Sequence, residues 1–213
     1  MTKTEGVVKY HLDFTRAGID PAGIEEINAW RKIMYRLGLI GRDPDRYGGF
    51  GYGNISTRLV DEVPQPVFVI SGTQTGHLAA LGPEHYAIVA SCDPQQNTIV
   101  ARGPIKPSSE ALTHHSVYLS DASVGCVIHA HCPEIWRAAQ ALDIPATPES
   151  AAYGTPEMAT EIERLFTDTD VHQKGLLAMG GHTDGVVACG RTPREAGTAM
   201  IACLARALQI AAR

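Results

Sequence analysis

Apolar residues recur along the chain at two spacings, which alternate between helical and extended segments. Helical spacing, with apolar residues three and four apart, marks four segments. The first predicted helix has Asp20 as its N-cap and Pro21 in its first turn, and it ends between Gly38 and Gly41, where a glycine can take the left-handed cap conformation. The other three predicted helices begin at Pro107, span residues 133–142, and run from Thr192 to about Ala211.

Short β-branched or wholly apolar segments predict one strand before the first helix, at residues 7–12, and seven between the helices. These seven lie at residues 54–59, 67–71, 86–91, 97–101, 125–131, 176–179 and 186–189. Asp93 and Pro94 interrupt the middle of this series, so residues 86–91 and 97–101 are predicted to form a hairpin. The middle of the chain is therefore predicted to be rich in sheet.

Composition narrows the class of protein. A length of 213 residues with 44% hydrophobic content suits one domain with a sizeable core. The net charge of -5 and the absence of a basic run argue against nucleic-acid binding, and leave local cationic sites for a small anionic metabolite. No apolar run is long enough for a membrane span and the first residues are polar, so we expect a cytoplasmic protein that binds no membrane. Five cysteines without a CxxC pair predict reduced core thiols.

A pair of histidines stands out in the strand predicted at 125–131. Because side chains alternate across a strand, His129 and His131 point to one face, where both imidazoles can bind one metal ion. The best third ligand is His182, between the last two strands, and three histidines leave a coordination position for substrate. Spacing alone does not connect His182 to the pair, so three unrelated histidines remain an alternative. His114 and His115 either face the same site or belong to the core or surface.

Three polar turns are candidates for anion binding. The glycine-rich segment 48–53 precedes a strand, which is the reverse of a dinucleotide fingerprint, and it ends at Asn54. Residues 72–76, including Thr75, and the serines Ser108 and Ser109 at a helix start can also present donors to a phosphate or carboxylate. Each could also be an ordinary turn, which is the commoner meaning of a segment such as 72–76. Glu110 is either a first-turn carboxylate or a general acid/base beside a metal.

Five motifs, in order, give the chain a family resemblance. They are Gly53-Asn54-Ile55-Ser56, Thr75-Gly76, Lys106-Pro107-Ser108-Ser109-Glu110, His129-Ala130-His131 and the late His182. Together they resemble the class II aldolase/adducin family, and in particular its L-fuculose-phosphate aldolase-like enzymes. The resemblance implies an α/β fold, a three-layer α/β/α arrangement around a central and mainly antiparallel sheet, formed by residues 1–213 as a single domain. It also implies a homo-oligomer, commonly a tetramer with active sites at subunit interfaces.

The resemblance also assigns roles to residues. His129, His131 and His182 would bind Zn²⁺, or another divalent metal such as Mn²⁺, Co²⁺ or Fe²⁺, and Glu110 would be the acid/base. The phosphate-binding positions would be Asn54, Thr75, Gly76, Ser108 and Ser109. The implied function is a metal-dependent lyase that cleaves a small, anionic, sugar-phosphate-like hydroxy-carbonyl compound by retro-aldol chemistry through an enediolate. The alternatives are a dehydratase, decarboxylase or epimerase on the same scaffold, an iron-dependent oxygenase, and a non-catalytic adducin-like module.

Two departures from the family pattern bear on the substrate. Thr183 and Asp184 separate His182 from Gly185, where the aldolases place a glycine directly after the last ligand. The stretch 144–156 is also shorter than in the aldolases and lacks the tyrosine that they place there. Glu149 or Tyr153 is the candidate to fill that space.

Overall fold

The protein is described here by a computed structural model that covers residues 9–20, 23–60 and 65–212. The strands are β1 (His11–Arg16), β2 (Gly41–Arg42), β3 (Gly51–Tyr52), β4 (Asn54–Val60), β5 (Val67–Ser71), β6 (Tyr86–Asp93), β7 (Thr98–Gly103), β8 (Cys126–His131), β9 (Ala146–Ala152), β10 (Leu176–Gly181) and β11 (Gly185–Gly190). The helices are α1 (Glu25–Arg36), α2 (Ala111–Ser120), α3 (Pro133–Ala138), α4 (Pro156–Asp168), α5 (Val171–Lys174) and α6 (Pro193–Ala211).

Nine of the strands form one sheet in the order β1-β7-β6-β5-β4-β8-β11-β10-β9. The six inner pairings are antiparallel, and only the outermost pairs, β1 with β7 and β10 with β9, are parallel. Strands β2 and β3 form a separate ribbon. The strand β8 lies near the middle of the sheet, between β4 and β11, so its side chains are covered on both faces.

The two faces of the sheet carry separate apolar clusters. One cluster joins the sheet to α1, α3 and α6, with Met34, Ile128 and Met200 among its buried members. The other joins it to α2 and α4, with Leu112, Val127 and Ile162. Alternate residues of β8 enter alternate clusters, as the pleat of a strand requires. The fold is therefore α/β with helices on both sides of a mainly antiparallel sheet, as predicted.

Several element boundaries differ from the prediction. The first strand lies at His11–Arg16 rather than at 7–12, and residues 7 and 8 are outside the described part of the chain. Asp20 is not the N-cap of α1, because the helix begins one turn later with Ile24 as N-cap and two glutamates in its first turn. Pro21 also lies outside the described residues. The predicted C-terminal stop is confirmed, since Gly38 has a φ of 72°.

The other predicted elements are confirmed with smaller corrections. The hairpin at 86–101 forms as β6 and β7, and α6 begins after Thr192, whose hydroxyl accepts from the backbone N–H of Glu195. The predicted helix at 133–142 ends at Ala138, and irregular turns follow it. The serines before α2 do not cap it, because Glu110 occupies the N-cap position. Within the described residues no helix has both the length and the apolarity that a membrane crossing requires.

Candidate active site

Strand β8 brings the first two candidate ligands to one face of the sheet. His129 and His131 lie two apart on β8, both are buried, and their ring centroids are 5.1 Å apart. The central position of β8 between β4 and β11 holds them in place, with Asn54 opposite His129 on one side and Gly185 opposite His131 on the other. The predicted shared face is therefore present.

The turn between β10 and β11 brings His182 to the same place. The backbone carbonyl of His182 accepts a hydrogen bond from Gly185 at 2.8 Å, so the inserted residues Thr183 and Asp184 form the tip of a tight turn. The ring centroid of His182 lies 5.0 Å from that of His129 and 4.7 Å from that of His131. One nitrogen from each of the three imidazoles lies within 4.8 Å of the others. The fold thus joins three histidines that the sequence could not connect by spacing.

The environment of His129 and His131 favours their neutral, metal-binding form. Burial is the main cause that lowers the pKa of both rings well below the usual value, and the neighbouring His182 lowers it further. The Nδ1 atom of His129 lies 3.3 Å from the carbonyl oxygen of Val186, which can only accept a hydrogen bond. The proton is therefore on Nδ1. The buried Nε2 of His129 has no hydrogen-bond partner among the described residues and keeps its lone pair.

Glu110, the N-cap residue at the start of α2, lies beside the three histidines. Its side chain is buried, and its Oε1 atom is 3.6 Å from Nδ1 of His182. The hydroxyl of Thr113, one turn further along α2, donates to Oε2 at 2.6 Å. This hydrogen bond orients the carboxylate so that the other oxygen faces the histidines.

All five candidate anion-binding residues line one narrow cavity beside Glu110. Asn54, Thr75, Gly76, Ser108 and Ser109 meet there although they come from three separate parts of the chain. The four side chains are buried, and within the described part of the chain the Oδ1 atom of Asn54 has no hydrogen-bond partner. The cavity lies next to the candidate metal ligands, because Glu110 both lines the cavity and lies beside His182.

Two glycines allow this close approach of backbones. A Cβ at Gly76 would lie 2.4 Å from the carbonyl oxygen of Gly41, and one at Gly53 would lie 2.7 Å from the side chain of Ile40. Gly53 also has a φ of 75°, which favours glycine. Any other residue at either position would push the loop out of the cavity wall.

A polar cluster that the sequence did not reveal covers His131. The ring of Tyr47 contacts the His131 ring edge-on, with centroids 4.4 Å apart. Asp184, in the inserted turn, accepts hydrogen bonds from the Tyr47 hydroxyl at 2.7 Å and from Arg46 at 3.0 Å. The insertion that departs from the family pattern therefore anchors the loop over the site. No spacing signal connects residues 46–47 with 184, because the contact depends on the folded positions of two loops.

The shortened stretch 144–156 contributes Tyr153 and not Glu149. The ring of Tyr153 is buried and stacks on His182, with centroids 4.5 Å apart and an angle of 27° between the planes. The amino group of Lys9 lies 3.3 Å from the centroid of the Tyr153 ring. Glu149 is exposed on β9. Of the two candidates, Tyr153 therefore occupies the space beside the ligands.

His114 and His115 are buried in the core and do not join the three histidines. Nδ1 of His114 lies 2.7 Å from the hydroxyl of Ser56, and His115 faces a groove between α2 and α4. Both rings are fully covered by the fold. The core alternative is the one that the structure supports.

Comparisons with known proteins agree with this architecture. Residues 44–212 match the family described as Class II Aldolase and Adducin N-terminal domain. L-fuculose-1-phosphate aldolase from Thermus thermophilus has a similar structure, with a TM-score of 0.62, 18% identity, and coverage of 87% of this chain and 90% of that one. Sugar-phosphate aldolase from Thermotoga maritima gives a TM-score of 0.64 and 16% identity, covering 89% and 95% of the two chains.

A third similar structure belongs to a protein whose description names more than one reaction. YgbL from Escherichia coli, described as a putative aldolase/epimerase/decarboxylase, gives a TM-score of 0.63 at 20% identity and covers 87% of this chain and 86% of that one. No curated protein matches the sequence significantly. At these identities the similar structures establish the fold.

Proposed function

The chain belongs to the class II aldolase and adducin family, and on that premise we propose that it is a divalent-metal-dependent lyase that cleaves a small phosphorylated hydroxy-carbonyl compound by retro-aldol chemistry. The observation that carries the proposal is the convergence of His129, His131 and His182 beside the buried carboxylate of Glu110. A cavity lined by hydroxyls and backbone adjoins them. A scaffold without chemistry has no need for this combination.

The residues present fit a divalent metal. Three imidazoles suit Zn²⁺ or another divalent transition metal and leave a position for substrate, and Nε2 of His129 is a buried acceptor with no hydrogen-bond partner among the described residues. When bound, such a metal would polarise a carbonyl and balance the negative charge that develops as the carbon–carbon bond breaks. The hydrogen bond of His129 to the Val186 carbonyl would fix the ring in the ligating orientation.

Glu110 is placed to move the proton. In the cleavage direction its carboxylate would accept the proton of the substrate hydroxyl whose carbon becomes a carbonyl, while the bonding electrons of the breaking carbon–carbon bond pass to the other fragment. The same carboxyl group would return the proton to that fragment. The hydrogen bond from Thr113 to Oε2 leaves Oε1 as the oxygen directed at the substrate.

The adjoining cavity would hold the phosphate of the substrate. Ser108 and Ser109 lie just before the N-terminus of α2, where backbone N–H groups and the helix dipole favour an anion. Asn54 and Thr75 face them from the other wall. A phosphorylated substrate bound here would place its carbonyl end next to Glu110 and the histidines.

The experiment that tests the proposal combines metal analysis with a substrate screen. The purified protein is measured for bound metal, stripped with a chelator, and then supplied with Zn²⁺, Mn²⁺, Co²⁺ or Fe²⁺. Each form is given matched phosphorylated and free hydroxy-carbonyl compounds, and products of cleavage, dehydration, epimerisation and decarboxylation are measured separately. We expect carbon–carbon cleavage that needs the metal and prefers the phosphorylated compound.

The other outcomes discriminate between the alternatives. A protein that binds no divalent metal and loses nothing to the chelator would be an adducin-like module, and the lyase proposal would be wrong. Dehydration, epimerisation or decarboxylation without cleavage would support the metal site but would show that the reaction is not retro-aldol cleavage. Oxygen consumption with Fe²⁺ would indicate an oxygenase.

We also propose that the chain works as a homotetramer in the cytoplasm, and sedimentation velocity would test the assembly.

A further inference from the structure

Arg31 is a charged residue in the apolar stripe of α1. It lies four residues after Ile27 and three before Met34, and all three side chains are buried. Arg31 is only 1% exposed. A buried guanidinium at a position where the helical pattern calls for an apolar residue is costly unless its charge and its donors are satisfied.

The hydrogen-bond partners of Arg31 are backbone carbonyls, which do not balance its charge. Its guanidinium donates to the backbone carbonyls of Thr75 at 2.9 Å, Gly76 at 3.4 Å and Leu78 at 2.5 Å. Among the described residues, none of its hydrogen bonds or ion pairs reaches a carboxylate. Tyr35 and Tyr86 are the neighbours that favour its charged form, while burial lowers its pKa. Arginine nevertheless stays charged in proteins, so within the described part of the chain a buried positive charge remains without a counter-ion.

This charge lies directly behind the wall of the anion cavity. Thr75 and Gly76, whose carbonyls Arg31 holds, line the cavity together with Ser108 and Ser109. Among the described residues that line the cavity, Glu110 is the only ionisable one, and it is acidic. A phosphate in the cavity therefore meets no cation inside it. The cation that holds this wall from behind is the guanidinium of Arg31.

We propose that Arg31 is the counter-charge of the cavity, and that it makes the site selective for an anionic phosphoryl group over a neutral one. The inference rests on the anion-binding role proposed above for Asn54, Thr75, Gly76, Ser108 and Ser109. In a poorly solvated wall the field of a buried cation acts across one layer of backbone with little screening. The bound phosphate in turn supplies the negative charge that Arg31 lacks in the protein.

A purely structural role for Arg31 makes a different prediction. If Arg31 only fastened the Thr75–Leu78 turn, lysine would fail almost as badly as a neutral residue, because an ammonium cannot reproduce the planar fork that reaches several carbonyls. If the charge matters, lysine should keep most of the phosphate affinity while a neutral residue loses it. The comparison of these two substitutions separates the roles.

The experiment measures binding of inorganic phosphate by calorimetry at constant ionic strength. The variants are Arg31→Lys, Arg31→Gln and the matched control Arg58→Gln. Arg58 also donates to backbone carbonyls, those of Val124 and Tyr118, but it lies away from the cavity. We expect Arg31→Gln to weaken phosphate binding by about tenfold or more, Arg31→Lys by only about two- to threefold, and Arg58→Gln to leave it unchanged. The metal content should be the same in all.

A second variant keeps the test open if Arg31→Gln does not fold. Asn28 lies one turn before Arg31 on α1, so Asn28→Asp adds a negative charge close to the guanidinium and keeps the hydrogen bonds of Arg31. It also keeps the acceptor for the Tyr86 hydroxyl and loses only the donation from the Asn28 amide to the Leu81 carbonyl. This variant should also weaken phosphate binding. Folding of every variant is checked by its thermal unfolding midpoint and circular dichroism.

Three results would overturn the inference. They are wild-type protein that binds no phosphate, a folded Arg31→Gln or Asn28→Asp variant that binds it as well as wild type, and equal losses in the lysine and glutamine variants. The outcomes also separate this inference from the proposed function. Phosphate binding that depends on Arg31, with no lyase activity on any compound, would reject the reaction and keep the counter-charge. Metal-dependent cleavage without phosphate binding would reject the counter-charge role of Arg31 and keep the proposed reaction.

Discussion

Two groups of histidines lie buried in this protein, and they differ in what their ring nitrogens face. His129, His131 and His182 come from the middle strand and a distant turn, and their nitrogens converge within 4.8 Å. His114 and His115 are neighbours on α2, yet they point in different directions, one to Ser56 and the other to the groove beside α4. Burial is the same in both groups, so burial alone does not indicate a metal site. Convergence does.

Burial gives members of both groups the same neutral state, so their protonation does not separate the groups either. Burial lowers the pKa of His114 to about 3 and that of His115 to about 4, and it also lowers the pKa of His129 and His131. All four rings are therefore neutral at pH 7. In the converging group a metal can use the lone pairs, whereas in the α2 pair neutrality serves only to keep a charge out of the core.

The largest expected effect tests whether convergence identifies the ligands. His129→Ala should lose most of its bound metal and nearly all activity, because two imidazoles rarely hold a catalytic metal. His114→Leu is the matched control: it removes an equally buried histidine and should keep the metal. Metal content is measured by plasma emission spectrometry on dialysed protein. Equal metal loss in both variants, or none in either, would remove the distinction between the groups.

The next effect separates metal binding from proton transfer. Glu110→Gln should retain the metal but lower kcat by about 10²–10⁴-fold, since the amide cannot accept the substrate proton. Glu134→Gln, which changes an exposed glutamate in the first turn of α3, should leave both quantities unchanged. Steady-state kinetics and metal analysis check this. Full turnover by the Glu110 variant would end its acid/base assignment.

Much of this architecture could be predicted because it depends on local patterns. The alternation in β8 places His129 and His131 on one face whatever the rest of the chain does. The hairpin of β6 and β7 and the start of α6 at Thr192 follow from turn and cap residues that act over a few positions. The arrangement of the layers came from the family resemblance rather than from these patterns.

What could not be predicted depends on contacts distant in sequence or on patterns too polar to recognise. The strand β9 has the sequence ATPESAA, which lacks apolar alternation and forms because it pairs with β10. The cover over His131 requires Tyr47 and Asp184 to meet across 137 positions. Arg31 lies in a stripe that predicts only core packing. Each of these features is set by tertiary contacts.

A smaller effect concerns stability, and it sharpens the role of the α2 pair. Because folding lowers the pKa of His115 from 6.5 to about 4, the unfolded chain binds more protons than the folded one in this window. The free energy of unfolding is therefore full above about pH 6.5 and falls as the pH drops toward 4, by about 1.4 kcal/mol per unit for this residue. His115→Leu should make the decline shallower by that amount in metal-free protein. Urea unfolding at several pH values measures the slope.

The control for this slope is a substitution that lowers stability without removing a titrating group. Leu112→Ala, on the same helix, should reduce the free energy of unfolding at every pH and leave the slope as it is in wild type. An unchanged slope in His115→Leu would show that the ring titrates alike in the folded and unfolded chains, and so is not held neutral by the core.

The smallest effect tests the hydrogen bonds that keep His114 out of the metal site. The Ser56 hydroxyl lies 2.7 Å from both Nδ1 of His114 and the hydroxyl of Tyr118. Donation from Tyr118 to Ser56 and from Ser56 to His114 satisfies both hydroxyls, whereas the reverse order leaves the Tyr118 proton without an acceptor.

Ser56→Ala removes both bonds in the buried core and should cost about 1–3 kcal/mol of stability with metal content unchanged. Thr57→Ala, which loses one bond to Gly125 at a half-buried position, should cost about 1 kcal/mol. Loss of metal from Ser56→Ala alone would mean that the α2 pair supports the ligands after all.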